Sequence, residues 1–509
     1  MNYKNAIYVG CNVELWIPVA EKLKKIHGIN PVYFVGRRPE FSREKINEVF
    51  PDCFFQYTED AWKGIGFPSE SKLVSLDETM VKKIGLDVLT GMRMMDRLDV
   101  FSSFPSTDRQ AWFIELIERW LFIIEKRAVD IIISPSIPHR VFDFALYVAA
   151  KLKGIKFIMF QMTHFGDGSF IIDDVNMTSL RMKLAFDNKV EAELKDLPTI
   201  VSDKLKQLLG DHSLALPADM VEQKNKSEKY KTISFQLASF YSDIKKIRNF
   251  FDISPTYRVY KDEHPNTSSM RKGTAFLIRK LGELKKINLK KSYATYCEEV
   301  DLNKKYVFLA LHYQPEETSC PTGGLYVEQR QIIKNLIDSF PEYVSIYVKE
   351  HSSQFYPYFE GEVGRNELFY KEVSMMSDRV KFVSINSDTF ELVDNSIAVA
   401  TISGTVGWES LFRIKPVLLF GRGWYEDLPG VYKVKDKNAL KLAVHEIIKK
   451  VYESDLTLNR LYGAHLILSQ FLIFSSHYYD FKQLGMTKDS ESVENIVSGI
   501  VDFLSAECE

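Results

Sequence analysis

The stretch SIAVATISGTVGWESLFRIKPVLLFG, Ser396 to Gly421, decides the fold class. Ser396–Ile402 is a mainly apolar run interrupted by Thr401, the pattern of a strand buried on both faces. A small turn, Ser403-Gly404-Thr405, follows it. Helical spacing then runs from about Val406 to Phe412, and Lys415–Gly421 is a second apolar strand. Strand, helix and strand in so short a span make one βαβ unit, which builds a parallel sheet.

Outward from this unit the same alternation continues. Upstream lie a strand at Lys304–Tyr313, a helix at Val327–Phe340, a strand at Tyr343–His351 and another at Val380–Ser384. The N-terminal part repeats the pattern. It has strands at Ala6–Gly10, Pro31–Gly36, Val129–Ser136 and Ile155–Gln161. Helices fall at Leu15–Ile26 (stopping near Gly28), Gln110–Lys126 and Phe142–Gly154. Between the two α/β blocks, from about Met177 to Lys291, the chain is rich in Lys, Glu, Leu and Ile and reads as a mainly helical insertion. The expected organisation is an N-terminal Rossmann-like domain (1–175), a helical insertion (176–300), a C-terminal Rossmann-like domain (301–460) and C-terminal helices (461–509) packing back on the first domain. Two such sheets facing one another enclose a cleft at the carboxyl ends of their strands.

Composition narrows the function. At roughly 150 residues per domain, 509 residues allow about three units. With 45% hydrophobic and 26% charged residues, disorder is excluded as the main state. The 66 basic residues against 68 acidic leave a net charge of −2, which argues against a bulk polyanion binder, nucleic acid included. No run approaches the ~18 apolar residues of a spanning helix. The opening MNYKNAIYVG reads as a strand rather than a signal peptide. Five scattered cysteines with no metal-ligand spacing fit a reduced, cytoplasmic compartment. Any membrane contact is then peripheral. One segment bears on it: Arg271–Lys291 holds eight Lys/Arg and one Glu among apolar residues. It suits a solvated helix face, or a basic amphipathic patch facing anionic lipid or glycan.

Candidate chemistry gathers at strand ends. In the 403–405 turn, backbone amides opening a helix suit a phosphate, Gly404 removes side-chain bulk, and Ser403 and Thr405 add hydroxyls. Glu409 shares a helix face with Thr405 and suits ribose hydroxyls; the same residues also suit an N-cap and a first-turn dipole partner. Alternation puts Lys349 and His351 on one side of their strand and Glu350 on the other. Lys349 and His351 suit a nucleotide phosphate, though a strand-end histidine is equally a structural hydrogen-bonding residue. In LALHYQPEETSCPTGG, Leu309–Gly324, Glu316 and Glu317 can supply a base or nucleophile, or simply an acidic loop. After the N-terminal strands, His139, Arg140, His164 and Asp167 are candidates for acceptor contacts.

Taken together, the VKEH strand, SGTVGWESL some fifty residues later, KPVLLFGRGWY and the HYQPEE loop resemble the bacterial capsular polysaccharide synthesis glycosyltransferases, the Kps-type proteins related to Kdo transferases. The earlier SPSIPHRVFDFALYVAAKLKGIKFIMFQ stretch is similar to them too. The resemblance covers roughly Val129–Asp174 and Tyr306–Val434. It implies a GT-B architecture, a CMP-linked acidic ulosonic sugar as donor, and no metal or other cofactor. It places Lys349 and His351 at the nucleotide motif, Ser403, Gly404 and Thr405 at the phosphate turn, Glu409 at the helix acid, and Glu316 or Glu317 at the catalytic carboxylate. Where the family commonly has His-Pro, Ser352 follows His351 here. The partners implied are a nucleotide-sugar donor and a glycan or glycolipid acceptor, with retention or inversion left open. The alternatives are a transferase of glycerol phosphate or another group from a cytidine diphosphate donor, and a non-catalytic glycan assembly protein.

Overall fold

The computed structural model describes residues 3–506 apart from 71, 98, 100–104, 211–228, 231–252, 256–268, 317, 358, 479–481 and 484. Two parallel-stranded sheets organise the chain. The first contains β1 (Asn5–Tyr8), β2 (Asn30–Gly36), β3 (Phe54–Tyr57), β4 (Ile131–Ser134), β5 (Lys156–Met162), β6 (Gly168–Ile172) and, from the far end of the chain, β15 (Ile473–Phe474). Its spatial order is β15-β6-β5-β4-β1-β2-β3, with β6 and β15 antiparallel to their neighbours. The second contains β9 (Tyr306–Ala310), β10 (Ser345–Lys349), β11 (Val380–Phe382), β12 (Ala398–Thr401), β13 (Val417–Leu419) and β14 (Val431–Lys433), all parallel, in the order β11-β10-β9-β12-β13-β14. Counted from its own first strand this is 3-2-1-4-5-6, the Rossmann order, and the first sheet shares its 3-2-1-4-5 portion. Two Rossmann-like sheets facing one cleft are a GT-B-like architecture, as expected.

The apolar runs explain the layers. Every residue of β4 and β12 is buried, because helices cover both faces of each sheet. The 16–27 and 141–153 helices end where Gly28 and Gly154 adopt φ of 71° and 65°, left-handed conformations that close the last helical turn cheaply. In the described part of 176–300 there are helices at Leu180–Asp187, Thr199–Leu209 and Lys272–Tyr296. There is also a short hairpin, β7 (Ile253–Pro255) with β8 (Ser269–Arg271), which the composition did not announce.

The chain crosses back at its end. Ile473 pairs with Ser169 on β6, and the Asp489–Ser505 helix buries Ile496, Ile500 and Leu504 in the same core as Trp16 and Ala20. Trp16 Nε1 donates to His477 O at 3.0 Å. The two halves also meet directly. Phe165 packs edge-on against Trp408 and Trp424, and Thr178 donates its backbone amide to Glu426. Among the described residues no helix is long and apolar enough to cross a membrane.

Candidate active site

A cavity of about 1230 Å³ opens between the two sheets, lined from both sides. It lies at the point in the second sheet where strand order reverses, between β9 and β12. Their carboxyl ends carry the 311–316 loop and the 403–405 turn. In open α/β sheets this crevice is where ligands bind. Glu316, Lys349, His351, Ser403, Gly404, Thr405 and Glu409 all line it, with His139 and His164 from the first sheet. Arg140 and Asp167 do not. Arg140 caps the 141–153 helix and lies over the Trp62 ring, while Asp167 is fully buried and accepts the Thr487 amide at 3.0 Å. Glu317 lies outside the described residues.

Glu316 is the carboxylate in the most worked-out setting. Thr318 Oγ1 donates to its Oε2 at 2.6 Å, and His312 Nδ1 stands 3.9 Å from the same oxygen. Burial pushes its pKa up. The imidazoles of His312 and His351 and the Thr318 hydroxyl outweigh that and hold it below the ordinary glutamate value. Glu316 therefore presents an ionised oxygen to the cavity. His312 is itself fixed. Its Nε2 accepts the Ser403 amide at 3.2 Å and lies 3.2 Å from Thr401 Oγ1, which leaves the Nδ1 proton directed toward Glu316.

The loop bearing Glu316 is held from beneath by a buried ion pair. Glu350 faces away from Lys349 and His351, as strand alternation requires, and meets Arg365 at 2.8 Å. The two side chains are 0% and 2% exposed. Arg365 also donates to His312 O at 3.2 Å and Gln314 Oε1 at 3.3 Å, and Tyr370 OH donates to Glu350 at 2.9 Å. A Cβ on Gly364 would collide with Gln314 O, so only glycine lets these two loops approach.

Lys349 donates to Ser387 O at 2.6 Å and Thr389 Oγ1 at 2.7 Å. A lysine has three protons to donate, so one remains for a ligand. Burial lowers its pKa to about 8, against the opposing pull of Asp388. His351 accepts the Ser353 amide at 3.2 Å and so caps the 352–355 turn while facing the cavity.

The 403–405 turn differs from the picture drawn from sequence. The Ser403 amide is taken by His312 and the Gly404 amide by Thr401 Oγ1 at 3.1 Å, while Ser403 Oγ donates to Thr318 O at 2.7 Å. A Cβ on Gly404 would crowd Thr401 Oγ1 and His312 Nε2, so the glycine makes room for these two partners of the turn. Among the described residues, the turn's amides without a protein partner are those of Thr405 and Val406. Its seven-residue helix, Thr405–Leu411, keeps Glu409 buried; burial raises the Glu409 pKa to about 7 against the pull of Lys204 and the Thr405 hydroxyl. Lys204, on the Thr199–Leu209 helix, thus brings the insertion to the edge of the site.

His164 is a joint between the halves as well as a cavity wall. Its Nδ1 accepts the Trp424 indole proton at 2.9 Å, and burial lowers its pKa to about 4, so it is neutral with its proton on Nε2. Of these residues, sequence reading leaves His312 and Gln314 without roles, although both stand in the quoted loop. It has no signal for Arg365, Thr318 or Lys204, whose partners are distant in the chain or hidden in loops.

Comparison with known proteins follows the second sheet. Residues 218–466 match the family of capsule polysaccharide biosynthesis proteins. The match takes in all of the Tyr306–Val434 stretch and none of Val129–Asp174. No curated protein matches the chain in sequence. Similar solved structures include a UDP-GlcNAc 2-epimerase from Neisseria meningitidis bound to UDP-GlcNAc, at 13% identity over 92% of this chain and 98% of that one, TM-score 0.24. A glycosyltransferase from Rickettsia africae has 13% identity over 96% and 100%, TM-score 0.23. KpsC of Thermosulfurimonas dismutans, a beta Kdo 2,7 transferase, has 16% identity over 34% and 56%, TM-score 0.19. Superpositions this loose carry no argument, and the fold rests on the strand order above. Family and site nonetheless meet in one segment, because Glu316, His312, Lys349, His351 and the 403–405 turn all fall inside residues 218–466, the part of this chain that matches the capsule polysaccharide biosynthesis family.

Proposed function

We propose that the protein is a glycosyltransferase of capsule or surface polysaccharide synthesis. It transfers an acidic, Kdo-like ulosonic sugar from a CMP-linked donor to a glycan or glycolipid acceptor, at the inner face of the membrane. One observation carries this reading: an ionised Glu316, the Lys349 cation and the 403–405 turn share one interdomain cavity at the switch point of the second sheet. A nucleotide leaving group needs donors where its negative charge develops, and Lys349 with the Thr405 and Val406 amides supplies them. The oxocarbenium-like sugar needs a carboxylate close by, and Glu316 supplies it. In the first step a Glu316 oxygen attacks the anomeric carbon, and the bond from that carbon to the phosphate oxygen breaks, so CMP departs with the electron pair. In the second step the acceptor hydroxyl attacks the same carbon, the glutamyl ester bond breaks, and the hydroxyl proton passes to a base. Two inversions give net retention.

The deciding experiment is a thermal-shift series with CMP, CDP, UDP, GDP and ADP. CMP is expected to stabilise, by about 2.7 kcal/mol at a concentration one hundred times its Kd. Glycerol phosphate transfer from a cytidine diphosphate donor also releases CMP, so mass spectrometry of the product separates it from sugar transfer, and stabilisation by UDP removes the CMP-sugar assignment.

A pH dependence follows from Lys349. Its cation is present below about 8 and lost above it. CMP affinity is therefore expected to hold at lower pH and fall by up to about tenfold per unit once pH passes Lys349's pKa, since each binding event must then take up a proton. Titration calorimetry across this range checks it. The Lys349→Met variant should bind weakly and lose that step; an unchanged step in the variant assigns the titration elsewhere.

A further inference from the structure

We propose that the Lys272–Tyr296 helix docks the protein onto an anionic lipid bilayer through its outward face. The opposite face is locked to the second sheet's unit. Lys286 is buried and donates to the carbonyls of Tyr356, Pro357 and Phe359, with Glu362 3.4 Å away. Leu289 and Tyr293 are buried one and two turns on. Gly282 allows the helix to approach Glu362, because a Cβ there would meet that carboxylate. With this face fixed, Leu277, Leu281 and Leu284, spaced four and three residues apart, form one stripe on the other side, and Ile287 lies beside it. All four are between 51% and 58% exposed.

Four large apolar side chains held in solvent on one helix mark an interaction surface rather than ordinary scatter. The charges around them select the partner. Lys285 flanks the stripe and Lys291 continues its line two turns beyond Leu284; both are exposed. Glu283 beside them is paired with Lys280 at 3.0 Å, so it does not cancel that charge. An apolar stripe edged by lysines matches the boundary between acyl chains and anionic head groups. A soluble acidic glycan would use the lysines and leave the leucines in water. The surface is separate from the cavity and does not depend on the reaction assigned to it.

Co-sedimentation of the full chain with phosphatidylcholine vesicles, with and without phosphatidylglycerol, tests the proposal. Binding is expected to the anionic vesicles and to weaken as salt rises. Each of Lys285→Gln and Lys291→Gln should cost about fivefold. The double change Leu281→Ala with Leu284→Ala should weaken binding further, while nucleotide-induced thermal shifts stay as in the parent, showing that the variants fold. Three results overturn the proposal: no binding to either vesicle, binding that both leucine replacements leave untouched, or a parent dimer that they dissociate. The second assigns the lysines to a soluble polyanion, the third assigns the stripe to a second copy of this chain.

Discussion

Glu316→Gln is expected to reduce sugar transfer by about three orders of magnitude or more in kcat, with CMP affinity within a few-fold of the parent. The reason is specific to this carboxylate. Two imidazoles and a hydroxyl keep it ionised in a half-buried setting, and an amide keeps the shape while losing the nucleophilic oxygen. Glu317→Gln serves as the matched control and should retain most activity. Mass spectrometry of the parent after rapid quenching should find a sugar ester on the peptide containing Glu316, and NMR of the product should show a retained anomer. Near-normal turnover by Glu316→Gln, or an inverted anomer, removes Glu316 from the nucleophile's role. His312→Ala is expected to act through Glu316, lowering kcat more than it raises KM, because it strips the carboxylate of the proton facing it.

Arg365→Met should be the most destabilising single change near the site. It leaves the Glu350 carboxyl group in a dry interior without its cation, with the Tyr370 hydroxyl and the His351 amide as its remaining donors among the described residues. Breaking a buried pair from one side costs about 3–5 kcal/mol, a drop of roughly 6–20 °C in Tm for a domain of this size. Adding Glu350→Gln removes the stranded charge, so calorimetry of the double variant should recover a large part of the loss. Activity should not recover with it. The Arg365 bonds to His312 O and Gln314 Oε1 stay absent, and the Glu316 loop stays unanchored. A double variant as unstable as the single one means the pair contributes through packing instead.

How far the sequence can be read depends on the range of the interaction. The two sheets are legible because β4, β9 and β12 are apolar but for Ser134 and Thr401 at two of their ends and are separated by helical spacing, both local signals. The sides taken by Lys349 and Glu350 are legible for the same reason, since alternation along a strand is geometry. The turn after β12 is only half legible. Its position at a strand end can be read, and so can Thr401, three residues before the Gly404 amide it takes up; but His312, a strand away across the β9–β12 pairing, takes the Ser403 amide, and nothing in the local string reports that. Arg140 and Asp167 look like ligand contacts for the same reason His139 does: all are polar residues after strands. Burial and direction separate them, and both are set by elements hundreds of residues apart, as when Thr487 reaches Asp167. Arg365 sits in a loop without pattern and acquires its meaning from Glu350, which only the folded chain brings beside it.

The return of the chain to its first sheet constrains how the protein is born. Ile473 and the 489–505 helix emerge from the ribosome about 300 residues after Ile172, which at usual elongation rates is a wait of roughly 15–60 s. During that interval β6 is an unpaired edge, and the apolar surface of Trp16 and Ala20 lacks its covering helix. The N-terminal half thus waits with that edge and that apolar surface uncovered while the C-terminal half is made, and it closes only when the returning strand and helix reach it.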